Sequence, residues 1–364
     1  MMNPFKFGTV VDDPFFTDRE EELKRITSFF DSQNHLTVIS PRRFGKTSLV
    51  RRAVRLAKVR SIYLDLQVIV SPADMAAQLL RRVYALSAFE KLKGFVRNFR
   101  IIPALKLNPV TGEIDVTFSP DDDGHIVLED VLNLIDTLGS PKKRIVVVFD
   151  EFQEIFRIGE GLDRMLRSVM QRHTNVNYLF LGSAESMIRS IFETKRSPFY
   201  HFAALMTLGP LPVKEFSKYL GQRFEGVAEN PDLMAAAILS ITGAHPYYTQ
   251  QLAFYVWEKI SASGHTINIV DDAISEILAC HDYDYERLWN SLNRTDMKVM
   301  IGLAYGEAEP LSGSFISNTG TGSTSTVYSS LKRLTAQGIL IRQGIDYLYD
   351  DPFFKRWILE RRSS

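Results

Sequence analysis

The sequence has little cysteine, no excess of either charge and no long apolar run. It contains one cysteine, Cys280, which excludes an intramolecular disulfide and is typical of a reducing compartment. Lys and Arg number 43, as do Asp and Glu, and this balance argues against a surface that binds nucleic acid all over. No apolar run approaches the ~20 residues that cross a bilayer, and the first residues lack a signal-peptide pattern. We therefore expect a cytoplasmic protein without a membrane partner.

Apolar residues are plentiful, and their spacing predicts an α/β fold. The length of 364 residues and the apolar content of 45% predict two or three packed domains. After a helix predicted from about Phe16, with Thr17 or Asp18 as its cap, short buried strands alternate with amphipathic helices. Such alternation predicts a parallel sheet covered on both faces.

Three domains are predicted from the change of pattern along the chain. Residues 1–210 form the α/β core, with a β-hairpin insertion near 95–120 around the turn sequence NPVTGE. Residues 211–285 show helical patterns only. Residues 286–364 contain a helix, a Gly/Ser/Thr-rich link, a second helix and a two-stranded ribbon about Gly344, which together predict a winged helix-turn-helix.

The segment VISPRRFGKTSLV, from Val38 to Val50, indicates a phosphate-binding loop. It ends in the second half of the motif G-x-x-x-x-G-K-[ST], while a serine takes the place of the first glycine. Backbone N–H groups at the start of a helix and a lysine suit the β- and γ-phosphates, and a threonine hydroxyl suits Mg²⁺. A chance Gly-Lys-Thr turn is the alternative, which the buried strand before it and the helix after it disfavour. The predicted nucleotide-binding residues of the loop are Ser40, Pro41, Arg42, Arg43, Phe44, Gly45, Lys46, Thr47 and Ser48.

A second motif, IVVVFDE, is a buried strand that ends in two acids. An Mg²⁺-dependent NTPase needs one carboxylate for the metal and a second to activate water. Asp150 is therefore predicted, with Thr47, to hold the metal, and Glu151 is the candidate general base, while Lys46 acts on the phosphates. Two acids at a strand end by accident are the alternative.

A third strand, NYLFLGS, is predicted to lie between the loop strand and the acid strand. Ser183 at its end is the candidate sensor of the γ-phosphate, against an ordinary Gly-Ser turn. Charge on the transferred phosphoryl group also favours an arginine. Arg189 and Arg196 follow this strand, and a surface position is the alternative for each.

The order of FTDREEEL, SPRRFGKTSL, VVVFDEFQ, FLGSAES, SPFYHF and TGAHPYY resembles the archaeal-type P-loop ATPases of the STAND/AAA+ class, which have bacterial relatives. The resemblance implies a core with an additional strand, a helical lid and a C-terminal winged helix. It also implies that Arg19 lies near the nucleotide, although Asp18 replaces the usual glycine. In the element resembling G-x-P, Pro246 and His245 would pack on the nucleotide, or His245 would cap a helix.

One departure from the resemblance concerns an arginine. The stretch resembling the P-L-Y-x-R box, from Pro198 to Phe202, has no arginine in its last position, so Arg196 is the nearest substitute. If that arginine acts on the phosphates in relatives, this chain is expected to turn over slowly or under the control of a partner.

Two functions are expected, both with ATP or ADP and Mg²⁺. In the first, the nucleotide state repositions the winged helix, which makes the chain a switch. In the second, the chain resembles replication initiators and its winged helix binds duplex DNA through Lys332, Arg333 and Arg342. A docking module with little turnover, for a protein partner or another copy of the chain, is a further alternative.

Overall fold

The computed structural model describes residues 2–12, 14–86, 89–107, 114–264, 268–306 and 309–362. The chain divides into two compact units. The sheet unit comprises Arg19–Arg42 and Lys46–Leu208, and the helical unit comprises Met1–Asp18, Arg43–Gly45 and Gly209–Ser364. Within the described ranges, no helix has both the length and the apolar character needed to cross a bilayer.

The sheet unit contains seven strands among the described residues. They are β1 (Leu36–Ile39), β2 (Arg60–Asp65), β3 (Ala104–Leu107), β4 (Ile114–Thr117), β5 (Ile145–Asp150), β6 (Val176–Gly182) and β7 (Ala204–Thr207). Five of them form a parallel sheet in the order β2-β5-β6-β1-β7. This confirms the predicted parallel sheet, with β6 as the additional strand between the loop strand β1 and the acid strand β5.

Helices flank this sheet. They are α1 (Glu20–Phe30), α2 (Lys46–Ala57), α3 (Pro72–Leu86), α4 (Phe89–Val96), α5 (Gly124–Leu138), α6 (Ile155–Ile158), α7 (Leu162–Met170) and α8 (Glu185–Glu193). All residues of β5 and β6 are buried, as expected for central strands covered on both faces. A cluster of phenylalanines around Phe152 and Phe180 packs beside the end of β6 and includes Phe192 and Phe199.

The start of α1 differs from the prediction. Arg19, and not Thr17 or Asp18, is the N-cap, and no side chain accepts a capping hydrogen bond. Asp18 and Arg19 both have positive φ, 53° and 70°, whereas a capping side chain normally sits on extended backbone. The left-handed conformation of Asp18 also explains why a glycine would suit this position.

The predicted hairpin insertion corresponds to β3 and β4, which pair antiparallel with Ala104 opposite Thr117. Its turn, NPVTGE at 108–113, lies outside the described residues. On α3, Arg81 donates a hydrogen bond to the Val116 carbonyl of β4 at 3.2 Å. The insertion is thus attached to the helix that covers the edge strand β2.

The helical unit has one continuous apolar core. Its elements are α9 (Val213–Phe224), α10 (Pro231–Thr242), α11 (Pro246–Ser263), α12 (Ile269–Asn290), α13 (Arg294–Ala304), α14 (Gly313–Thr319), α15 (Thr324–Ala336), β8 (Leu340–Gln343), β9 (Asp346–Tyr349) and α16 (Pro352–Arg361). The core extends from Phe5 through α9, α10, α11 and α12 to Ile358 in the winged helix. The predicted boundary between residues 285 and 286 lies inside α12, and the predicted link contains the helix α14.

Substitution of Gly182 tests how tightly the end of β6 is packed. A Cβ atom there would lie 2.2 Å from Cγ1 of the buried Ile188 and 2.9 Å from Oε1 of Gln153. We expect Gly182→Ala to lower the free energy of unfolding by about 1–3 kcal/mol, because the core must shift. Urea unfolding measures this change. The control is Gly94→Ala on α4, where a Cβ meets no atom of the described residues within 4 Å. Equal stabilities for the two variants would contradict the close packing.

Candidate nucleotide-binding site

The lysine of the loop folds back onto the loop itself. Lys46 Nζ donates to the carbonyl oxygens of Ser40 at 3.1 Å and Pro41 at 3.3 Å, and to Ser40 Oγ at 3.3 Å. Ser40 is fully buried and is not among the described residues with a positive φ, so a serine is tolerated where the motif has glycine. Phosphate oxygens could replace these three acceptors without leaving the ammonium unpaired.

The tip of the loop depends on left-handed backbone. Gly45 has φ 83° and Arg43 has φ 65°. A Cβ on Gly45 would meet no atom within 4 Å, so the backbone there is open on that side. This openness is what close approach of a phosphate to a helix start requires.

Thr47 and Asp150, the predicted metal pair, are in direct contact. Thr47 Oγ1 donates to Asp150 Oδ2 at 3.1 Å, and the backbone N–H of Glu151 donates to Asp150 Oδ1 at 2.9 Å. The hydroxyl of Tyr63, on β2, also donates to Asp150 Oδ2 and lies 3.4 Å from Thr47 Oγ1. Such a set of hydroxyl and carboxylate oxygens fits Mg²⁺, a hard cation that prefers oxygen ligands.

Glu151 is held by polar neighbours at the end of β6. Its Oε2 accepts from Ser183 Oγ at 2.7 Å and from Gln153 Nε2 at 2.5 Å. Glu151 has φ 50° and ψ 49°, a left-handed backbone conformation that is uncommon for residues other than glycine. The structure therefore places the candidate base and the candidate sensor in hydrogen-bond contact.

Burial shifts the pKa values of two charged side chains at this site towards their neutral forms. Burial lowers the pKa of Lys46, against the attraction of Glu151 and Asp150. Burial also raises the pKa of Asp150, with Glu151 adding to the rise and the Tyr63 hydrogen bond opposing it. Both shifts reflect the cost of charge away from water, which an anionic ligand and a cation would reduce.

In the helical unit, His245 caps α11. Its Nδ1 accepts from the backbone N–H of Tyr247 at 3.1 Å and of Tyr248 at 3.4 Å, so the capping alternative describes its contacts. Among the residues that the structure describes, its Nε2 finds no hydrogen-bond partner. Pro246 is the first residue of α11. Phe44, which belongs to the same unit, packs edge-on against His245 with ring centroids 4.4 Å apart.

The remaining predicted site residues differ in their exposure and in their ion pairs. Arg19 is 5% exposed and its guanidinium pairs with Glu22 at 2.8 Å, on α1. Arg189 pairs with Glu185 at 2.9 Å and Glu193 at 3.0 Å along α8, as expected of a surface arginine. The other members of the set are distributed as follows: Arg42 and Arg196 exposed, Pro41 half-buried and Ser48 buried.

Three polar residues that contact the predicted site residues were not predicted from the sequence. Tyr63 contacts Asp150, Gln153 contacts Glu151 and Tyr248 contacts Arg43. Gln153 comes two residues after Glu151 in VVVFDEFQ, so its closeness to Glu151 was visible in the motif. Tyr63 stands between the buried Ile62 and Leu64 of β2, and this alternation places its side chain on the opposite face from theirs. Its contact with Asp150 requires the pairing of β2 with β5, which no motif encodes.

The parallel sheet, the loop and the two acids define a P-loop nucleoside triphosphatase fold followed by a winged helix. More particularly, the chain belongs to a family described as an ATPase domain predominantly from Archaea, whose model matches residues 16–252. A model described as a probable winged helix domain matches residues 283–360. No curated protein matches the chain.

Two solved structures illustrate the similarity of fold. The Walker-type ATPase PABY2304 of Pyrococcus abyssi is 17% identical, with 97% of this chain and 99% of that chain covered and a TM-score of 0.69. The ORC2 protein of Aeropyrum pernix, solved as ADPNP–ADP complexes, is 13% identical, with 99% and 100% covered and a TM-score of 0.57. At such identities the likeness shows the fold alone.

The buried His245 predicts a pH dependence of stability. Burial, with Arg43 adding to the effect, lowers its pKa from 6.5 to about 3. Between these values the unfolded chain binds the proton and the folded chain does not, so stability falls as the pH falls, by at most about 1.4 kcal/mol per pH unit. His245→Asn keeps a capping side chain without titrating.

We expect urea unfolding of the Asn variant to show a shallower loss of stability from pH 6.5 towards pH 4 than the parent protein shows. Comparison with the parent is needed because burial also lowers the pKa of His35, to about 4. Parallel stability curves for the two proteins would contradict the assignment to His245.

Proposed function

We propose that the protein is an ATP-binding, Mg²⁺-dependent ATPase that acts as a nucleotide-controlled switch and repositions its winged helix. One observation carries the proposal: Lys46, Thr47, Asp150, Glu151 and Ser183 lie in the sheet unit at the ends of β1, β5 and β6. Ligands of open α/β sheets bind outside the carboxyl ends of the strands, which is where these side chains lie. We also propose that it works in the cytoplasm.

Each side chain has a role in this mechanism. Lys46 exchanges its carbonyl partners for phosphate oxygens and neutralises part of their charge. Thr47 and Asp150 would hold Mg²⁺, which when bound would offset charge on the transferred phosphoryl group. Glu151 orients the attacking water and accepts its proton, while Ser183 and Gln153 hold the carboxylate in place.

Support for the switch comes from the loop tip in the helical unit. Arg43 donates to the Tyr248 hydroxyl at 3.2 Å and its guanidinium lies 4.5 Å from the centre of the Tyr247 ring. The Tyr248 ring packs edge-on against Phe353 of α16, with centroids 5.8 Å apart. Phosphates that attract Arg43 would therefore compete with its contacts to Tyr247 and Tyr248, and Tyr248 in turn contacts the winged helix. Bound nucleotide would in this way favour one position of the winged helix over another.

Turnover is proposed to be slow or controlled by a partner. Arg189 is engaged by two glutamates of its own helix, and His201 and Phe202 end the box that resembles P-L-Y-x-R. Arg196 is exposed and free to face a phosphate in a neighbouring copy or in a complex. An arginine supplied on assembly is worth several orders of magnitude in phosphoryl transfer.

Two substitutions test the ATPase assignment. Lys46→Ala is expected to abolish measurable ATP binding, because the phosphates lose their buried cation. Glu151→Gln keeps binding but lowers turnover by roughly 10²–10⁴-fold, because the amide cannot accept a proton, so bound ATP is trapped. Equilibrium binding and single-turnover hydrolysis measure the two effects.

The matched control is Glu154→Gln, whose carboxylate pairs with Arg157 at 2.9 Å. It should hydrolyse ATP as the parent does. Equal turnover by the parent and Glu151→Gln would remove Glu151 as the base.

Duplex DNA binding is the second candidate function, and a cleft in the winged helix favours it. The cleft, of about 550 Å³, lies where α13 and α15 begin, and its lining is rich in hydroxyl and guanidinium groups. These residues are Asn293, Arg294, Thr295, Ser325, Thr326, Ser329 and Arg333. Such donors match the phosphate backbone of nucleic acid.

If the winged helix binds DNA, two or three phosphate contacts give a slope of about −2 to −3 in log affinity against log salt. We expect Arg294→Ala to weaken binding of a duplex at low salt and to reduce that slope by about 1, as fluorescence anisotropy would measure. The control is Arg356→Ala on α16, outside the cleft, which should leave binding unchanged. No binding at low salt would contradict this function.

A further inference from the structure

The hydroxyl of Tyr63 lies against both predicted metal ligands. It donates to Asp150 Oδ2 and lies 3.4 Å from Thr47 Oγ1, which itself donates to Asp150 Oδ2 at 3.1 Å. Asp150 Oδ1 accepts from the Glu151 N–H at 2.9 Å. Three donors from three different segments therefore determine the orientation of one carboxylate.

The position of Tyr63 follows from the sheet. In the pairing of β2 with β5, Tyr63 lies opposite Val148 and Asp65 lies opposite Asp150. Because side chains two residues apart share a face, Tyr63 and Asp150 are on the same face of adjacent strands. The ring is long enough to reach the start of α2, where Arg51 lies 5.3 Å from the ring centre.

We propose that Tyr63 is a positioning residue of the metal site, whose hydroxyl holds the Asp150 carboxylate towards Thr47 so that Mg²⁺ and its water shell bind there. The inference rests on the proposed function. Each carboxylate oxygen has two lone pairs. Tyr63 and Thr47 use those of Asp150 Oδ2, whereas Oδ1 accepts the Glu151 N–H and keeps a lone pair that can serve the metal or its water. Donors outside the ligand set orient ligands in this way at metal sites generally.

The alternative role of Tyr63 is packing alone, and Tyr63→Phe separates the two. The variant keeps the ring and its contact with Arg51 and removes only the hydroxyl. The half-saturating Mg²⁺ concentration for binding of a fluorescent ATP analogue is expected to rise by about tenfold or more, as is typical when such an orienting partner is lost. Binding of the same analogue in EDTA should stay unchanged, because the phosphate contacts of Lys46 do not involve Tyr63.

Tyr178→Phe is the matched control, since it removes a hydroxyl of the same unit that bonds His173 at 2.6 Å. It should leave the Mg²⁺ requirement as in the parent protein. A Mg²⁺ requirement for Tyr63→Phe that is equal to or lower than that of the parent would overturn the proposal. Failure of the parent itself to bind the analogue with Mg²⁺ would instead overturn the proposed function.

Discussion

The hydrogen bond from Thr47 to Asp150 joins the start of α2, which follows β1 and the loop, to the end of β5, a strand that is not a neighbour of β1. β6 separates the loop strand β1 from the acid strand β5, so the two strands are two spacings apart, about 9–10 Å. The loop spans this gap and starts α2 near the end of β5. Ser183, at the end of the intervening strand, is for the same reason next to the carboxylate of Glu151.

Each charged side chain of the site has internal hydrogen-bond partners. Carbonyl oxygens of Ser40 and Pro41 accept from Lys46, and donors from several segments satisfy Asp150 and Glu151. An unpaired buried charge would cost several kcal/mol, so these contacts stabilise the charged side chains within the fold. A ligand then has to displace mainly the bonds of Lys46, which are made to carbonyl oxygens and are weaker than bonds to phosphate.

Local patterns account for what the sequence could predict. A buried strand followed by Gly45-Lys46-Thr47, and another followed by Asp150-Glu151, each carry their chemistry within a few residues, and the ends of parallel strands meet at one edge. Contacts that depend on register could not be predicted, which is why Tyr63 escaped notice. The same holds for α14, whose seven residues of Gly, Ser, Thr, Asn and two apolar side chains favour a link by composition. In the structure Ser312 caps this helix and Phe315 is buried in the core.

The winged helix shows how one buried acid shapes a surface. Asp296 on α13 is 2% exposed. Its Oδ1 accepts hydrogen bonds from Ser330 Oγ and from the Arg333 guanidinium, both on α15, each at 2.5 Å. Arg333 Nε also donates to Asp296 Oδ2 at 2.8 Å, so the pair is bidentate. The pair links α13 to α15 and offsets the charge of Arg333. Arg333 is therefore less available to phosphate than its place on the predicted recognition helix suggests. Of the two arginines that line the cleft, Arg294 is the one whose charge Asp296 does not offset, so the cationic character of the cleft depends mainly on Arg294.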